Sequence, residues 1–269
     1  SSLFDLNGRI ALVTGGGTGI GYMIARGLVA NGARVYISGR RRPVLAKAAQ
    51  EFEGRGELAA ADGRLDILVN NAGQSGPRST WMSDASAAQN GDASAPQRGD
   101  AEALGVGLFA EEQGLSLTGK PETKGNWAGP FATNTFALFF VTTASIGLLA
   151  KGSERHGTYS ASVINVTSMS GSLKLAWSYF AYGVSKAAIA HLTKMLPPSS
   201  RAAGSPYAST VRLTALAPGV FESEMTKANR NMYHKVTDGL AQKIGLQPVS
   251  AGRIGGWVRV GCCAMRYER

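Results

Sequence analysis

The sequence predicts an α/β protein built on a doubly wound parallel sheet flanked by helices. Short, near-continuous apolar runs rich in β-branched residues recur along the chain, and helix-spaced stretches alternate with them. Strands that are apolar on both sides belong to a sheet covered on both faces, and helices between them supply the parallel crossovers. The first run also ends in a cluster of glycines that opens a helix, the place where such sheets bind ligands.

The elements follow in order. RIALVTGG (9–16) reads as the first strand, and GYMIARGLVANG (21–32) as a helix with a glycine stop. RVYISGR (34–40) is the second strand, and PVLAKAAQEF (43–52) is a helix with proline near its first position. LDILVNNAG (65–73), SVINVTS (162–168) and VRLTALAPG (211–219) are further buried strands. FALFFVTTASIGLLA (136–150) is apolar but broken by Thr and Ser, and it reads as a buried or interface helix. SYFAYGVSKAAIAHL (178–192) is a second such helix.

Two edges depart from this pattern. Residues 41–65 would have to hold two helices of about 11 residues, a strand of about 5 and their loops, and are too few for them. A strand is therefore expected to be missing at one edge. WVRVGCCAMRYER at the C-terminus leaves at most a short strand, WVRV, at the other, and PPSSRAAGSPYAST (197–210) has loop chemistry. Loss at the edges spares the central strands but exposes unpaired backbone that invites association. Residues 74–126 are small, polar and Gly/Pro-rich, apart from a modest helical pattern at 101–112. They read as a flexible insertion, either a lid or plain disorder, in a single domain over 1–269.

Composition narrows the class. With 44% apolar and 17% charged residues, the chain is globular in composition and not a disordered polymer. No uninterrupted run of about 18 apolar residues suggests a membrane span. The only two cysteines, Cys262 and Cys263, are adjacent and form no disulfide framework, so a reduced, cytoplasmic setting is expected. The net charge of +10 admits nucleic acid or a small anion as partner. Only GRRRP (39–43) is densely basic and no nucleic-acid motif accompanies it, so no nucleic-acid partner is expected. No metal site is expected.

TGGGTGIG (14–21) lets the backbone turn tightly and approach a pyrophosphate at a helix N-terminus, although such a turn can need glycine for steric reasons alone. The second strand ends in Ser38, Gly39, Arg40, Arg41 and Arg42, with no carboxylate to hold a ribose diol. A guanidinium there accommodates a 2′-phosphate, which predicts NADP(H) over NAD(H). Tyr182 and Lys186 stand one turn apart on a helix, either a surface pair with a snorkelling lysine or two groups that act together.

Taken with Asn70-Asn71-Ala72-Gly73, Asn134, Ser168, YxxxK at Tyr182 and Lys186, and Pro218-Gly219, these residues resemble the short-chain dehydrogenase/reductase family, in wording most like its fungal NADPH-dependent reductases. The likeness covers roughly residues 3–73 and 127–227. It implies a Rossmann-like sheet, a dimer or tetramer, and NADPH-dependent reduction of a small-molecule ketone to an alcohol. By motif position it implies Tyr182 as general acid, Lys186 as the cation that lowers the phenol pKa, Ser168 as carbonyl positioner and Asn134 as relay residue. Thr167 is a rival hydroxyl beside Ser168, and Asn70 is expected to be more structural than binding. The cofactor would lie on Gly15, Gly17, Thr18, Gly19, Ile20, Gly21, Ser38, Arg40, Arg41, Asn71, Ala72, Gly73, Tyr182, Lys186, Pro218, Gly219, Val220 and Ser223. Phe221 and Met225 either shape an apolar substrate pocket or simply pack their loop. The competing reading is a family member that keeps the fold and binds cofactor or a partner, but turns over poorly because its edges are lost.

Overall fold

The computed structural model describes residues 5–52, 63–76, 127–155, 159–174, 176, 179–202, 204, 211–219, 221 and 223–227. Among them the chain forms two compact units. One comprises residues 1–72, 141–167 and 193–269; the other comprises 73–140 and 168–192.

The first unit holds a five-stranded, all-parallel sheet. Its strands are β1 (Ile10–Thr14), β2 (Arg34–Ser38), β3 (Ile67–Asn70), β4 (Ala161–Val166) and β5 (Val211–Leu216), in the spatial order β2-β1-β3-β4-β5. All five strands anticipated from the apolar runs are present. Register pairs Ala11 with both Val35 and Ile67, then Leu68 with Val163, and Val163 with Leu213.

Alternation along the strands feeds two cores. Ile10, Leu68, Ala161 and Val163 cluster with Leu149, Val141 and Leu148 of α4 (Ala137–Arg155) on one face. Ala11, Val13, Ile67, Val69 and Val166 cluster with Ile24, Ala25 and Leu28 of α1 (Gly19–Ala30) on the other. Side chains two apart on a strand share a face, so β1 to β4 each serve both cores. This is why their runs looked apolar throughout. β5, expected to be buried, has no fully buried residue and gives Val211 and Leu213 to the first core alone.

Chain order reverses between β1 and β3, because β1 is followed by β2 on one side and by β3 on the other. Loops leaving two neighbouring strands at such a point diverge and open a crevice for ligands. The glycine turn and Asn71 lie there.

At the opposite, N-terminal end of the strands, Asp66 is fully buried and accepts a hydrogen bond from the Ile10 amide at 2.8 Å. Arg9 and Arg64 stand 3.6 and 3.9 Å from its carboxylate. The Arg9 guanidinium also stacks 3.7 Å from the centre of the Tyr159 ring. A buried carboxylate ringed by arginines ties β1 to β3 at a charge that must stay compensated.

Two expectations change. The loop anticipated from 197 does not begin there, because α5 (Phe180–Ala202) runs through Pro197 and Pro198. Pro197 and Pro198 each remove a backbone donor and so weaken the helix there, but their fixed φ is itself helical and permits it to continue. The apolar stretch 136–150 belongs to a longer helix, Ala128–Arg155, which by length and composition alone could cross a membrane. Its Leu149 is fully buried, in the core shared with β1 and β3.

No strand precedes β3 after α2 (Arg42–Glu51) among the described residues. Residues 53–62 of the shortened segment 41–65, residues 77–126 of the expected insertion 74–126 with the helical pattern at 101–112, and WVRV lie outside them.

Candidate active site

In the first unit the glycine turn is built from both sides of the strand reversal. The Thr14 hydroxyl accepts from the amides of Asn71 (2.9 Å) and Ala72 (3.1 Å). The Asn71 side chain donates to the Thr14 and Gly15 carbonyls at 3.1 and 3.3 Å. The Gly15 amide donates to the Ser38 carbonyl at 2.7 Å, joining the end of β2. Gly15, Asn71, Ala72 and Ser38 are thus brought together on the turn.

Part of the glycine content is steric. A Cβ at Gly16 would lie 2.5 Å from Ile37, and one at Gly21 would collide with the Gly15 carbonyl and the Asn71 amide. Gly15 and Gly19 adopt φ of 66° and 56°, where a side chain is strained.

The remaining chemistry suits an anion. Thr18 caps α1 without a side-chain hydrogen bond, and the first turn of α1 carries no acid. Amides at an uncapped helix N-terminus favour a diphosphate, so the turn fits a dinucleotide. Arg41 adds a guanidinium that reaches Thr18 Oγ1 at 3.4 Å and Glu224 Oε2 at 2.5 Å. Its hydrogen bond to Glu224 raises the guanidinium pKa further. Arg40 is exposed at the same strand end. Gly17 lies against Val44, and a Cβ at Gly19 would meet Ser223 at 3.2 Å. Ile20 lies in the first turn of α1. Pro218 is buried and Gly219 partly so, while Val220 lies outside the described residues.

The second unit assembles the other group, and Gly73 is its first residue. After α3 (Ala128–Phe131) the helix widens to a π turn at Ala132–Phe136 before continuing as α4. The wider turn buries two consecutive polar residues, Asn134 and Thr135. Such turns concentrate at functional sites.

Asn134 Oδ1 accepts from the Gln74 amide at 2.9 Å. Its Nδ2 donates to the Gln74 carbonyl and to Ser185 Oγ, both at 2.9 Å. Ser185 in turn donates to the Tyr182 carbonyl at 2.8 Å, and Thr135 donates to the Ser185 carbonyl at 3.0 Å. The π turn is therefore bolted to the helix that carries Tyr182.

On that helix Lys186 Nζ lies 5.8 Å from the centre of the Tyr182 ring, on the same side. The Tyr182 hydroxyl is hydrogen-bonded to Ser168. Ser168 Oγ also accepts from the Ser170 amide at 3.2 Å, which leaves its own hydrogen for the phenol. The short helix after it, Met169–Gly171, comes close to Lys186 and Ala187, where a Cβ at Gly171 would lie 2.8 Å from their backbone. The structure thus brings Ser168, Tyr182 and Lys186 together, with Asn134 tied to their helix through Ser185. Thr167, the rival hydroxyl, donates instead to the Leu216 carbonyl at 3.0 Å.

The electrostatics correct one expectation. The cation was expected to lower the Tyr182 pKa; burial dominates and raises it, and the Ser168 hydrogen bond only partly offsets this. Burial also lowers Lys186 to about 8. Low dielectric disfavours phenolate and ammonium alike, so Tyr182 keeps its proton at neutral pH.

Two residues escaped sequence reading. Ser185 stands between the two halves of YxxxK, and its position three residues after Tyr182 was the available signal. Gln74, just after the Asn-Asn-Ala-Gly stretch, acts through its backbone, which no side-chain pattern reports.

Comparison with known proteins agrees with this geometry. A family model for short chain dehydrogenases matches residues 9–63 and 115–234. The chain belongs to the short-chain dehydrogenase/reductase family. Short-chain dehydrogenase/reductase VdtF of Byssochlamys spectabilis is 32% identical over 89% of this chain and 80% of its own length. A rhamnolipids biosynthesis 3-oxoacyl-(acyl-carrier-protein) reductase of Pseudomonas aeruginosa is 31% identical over 83% of this chain and 77% of its own. The solved Pseudomonas aeruginosa RhlG/NADP active-site complex superposes with a TM-score of 0.62, at 29% identity, over 89% of this chain and 84% of that one. This short-chain dehydrogenase/reductase family is one of oxidoreductases built on a Rossmann-like parallel sheet, as the resemblance implied.

Proposed function

We propose that the chain is an NADPH-dependent reductase that converts a ketone to an alcohol, with Tyr182 as the proton donor. The observation that carries this reading is the Ser168–Tyr182–Lys186 cluster, with two hydroxyls in contact and an ammonium nitrogen 5.8 Å from the phenol ring. The RhlG complex with NADP and the reductase name of the Pseudomonas relative support it.

When bound, the reduced nicotinamide supplies the hydrogen and electron pair that go to the carbonyl carbon. The chain's own residues manage the oxygen. Ser168 and Tyr182 each have an O–H at one point, so a carbonyl oxygen placed between them accepts two hydrogen bonds. The Tyr182 proton passes to that oxygen as negative charge develops there. The resulting phenolate is favoured by the Lys186 cation. Asn134 holds the Tyr182 helix in place through Ser185 and is the proposed relay residue for returning the proton. The cofactor would rest on the α1 N-terminus, with its 2′-phosphate toward Arg40 and Arg41.

The test is a panel of ketones, including a 3-oxoacyl thioester and a sugar ketone, incubated with NADPH and the purified chain. The reading predicts NADPH consumption and alcohol formation with at least one ketone. NADPH binding without turnover across the panel would favour the impaired, cofactor-holding alternative.

A further inference from the structure

The geometry points to Glu224 as a residue that sets how strongly the chain prefers NADP(H) to NAD(H), by competing with the 2′-phosphate for Arg41. The inference rests on the proposed dinucleotide site and names a determinant within it.

Arg41 follows β2, where a guanidinium reads the 2′-phosphate. In the structure that guanidinium already holds an anion. Its Nη2 donates to Glu224 Oε2 at 2.5 Å, from a residue 183 positions later in the chain. The same nitrogen reaches back to Thr18 Oγ1 at 3.4 Å, at the mouth of the glycine turn. Next to Glu224, the Ser223 side chain lies where a Cβ on Gly19 would approach within 3.2 Å. The short segment after β5 is therefore strapped across the turn by one ion pair and one close contact.

A carboxylate and a phosphate use the same planar fork on arginine. Arg41 thus has the geometry to bind a 2′-phosphate, and Glu224 occupies it. A 2′-phosphate bound through that nitrogen would have to displace the Glu224 carboxylate, and one bound through the rest of the fork would sit beside a like charge. NADH lacks that phosphate, so the exchange does not arise for it. Both partners are half-exposed, with 57% and 51% of their side-chain surface open. At such exposure the pair is weak enough to yield, and its removal should change affinity by about two- to fivefold.

Isothermal titration at fixed ionic strength tests this with NADPH, NADH and 2′,5′-ADP as ligands. Glu224→Gln is expected to tighten NADPH and 2′,5′-ADP by about two- to fivefold, leaving NADH unchanged. In an Arg41→Ala background the same substitution should do nothing. Equal shifts for NADPH and NADH, weaker NADPH binding, or a gain that survives Arg41→Ala would overturn the role of Glu224 alone. Failure of the wild-type chain to bind any of the three ligands would overturn both the dinucleotide site and this inference.

Discussion

Asn134 Nδ2 donates to Ser185 Oγ at 2.9 Å, in a fully buried contact that joins the π turn to the helix of Tyr182. Ser185→Ala leaves that amide hydrogen without its acceptor. Loss of about 1–3 kcal/mol of unfolding free energy is expected, because an orphaned buried donor costs its full desolvation. Denaturant titration reads the change, and Ser185→Cys, which keeps a weak acceptor, should recover part of it.

Lys186 is 3% exposed and its pKa is lowered to about 8, against about 10.4 for a free lysine. Between these values the unfolded chain holds the proton and the folded chain does not, so stability rises with pH across that window. Below about 8 the cost of burying the charge is present in full. Lys186→Met should therefore raise the unfolding free energy at pH 7, by up to about 3 kcal/mol. The advantage should fade toward pH 10.5. A Lys186→Met chain no more stable at pH 7 would contradict the burial argument.

The same titration bears on activity. The proposed reduction needs Lys186 charged, so kcat should fall as pH rises through about 8. The phenol imposes no earlier loss, because burial raises its pKa and keeps it protonated. A pH profile flat to well above 9 would remove Lys186 from the proposed mechanism.

Asp66 anchors the opposite end of the sheet. Asp66→Ala removes the acceptor of the Ile10 amide and leaves Arg9 and Arg64 facing an uncharged, buried site. A loss of about 3–5 kcal/mol is expected, the usual cost of breaking a buried pair by deleting one partner. Thermal unfolding would report it, with no change in dinucleotide preference at the distant glycine turn.

How much of this was legible in sequence depended on whether a signal was local. The first four strands were readable because each feeds both cores and so reads as a nearly unbroken apolar run, whereas β5 gives Val211 and Leu213 to one core only. Tyr182, Lys186, Ser168 and Asn134 were picked out by motif; the structure places Ser168 and Lys186 beside Tyr182, and ties Asn134 to the same helix through Ser185. The Arg41–Glu224 pair was invisible, because only the fold joins residues 183 positions apart. So was the sign of the Tyr182 shift. Charge spacing on a helix shows that a cation is near, but not that burial outweighs it. The extension of α5 past Pro197 was missed because proline disfavours a helix interior, although its fixed φ still permits one.

The most direct test of the proposed proton donor compares the wild-type chain with Tyr182→Phe, measuring NADPH binding and NADPH-linked ketone reduction on the same preparations. The predicted result is retained NADPH binding and a fall in kcat of about 100-fold or more, the usual share of a positioned acid. A Tyr182→Phe chain that reduces the ketone as fast as the wild type would contradict it.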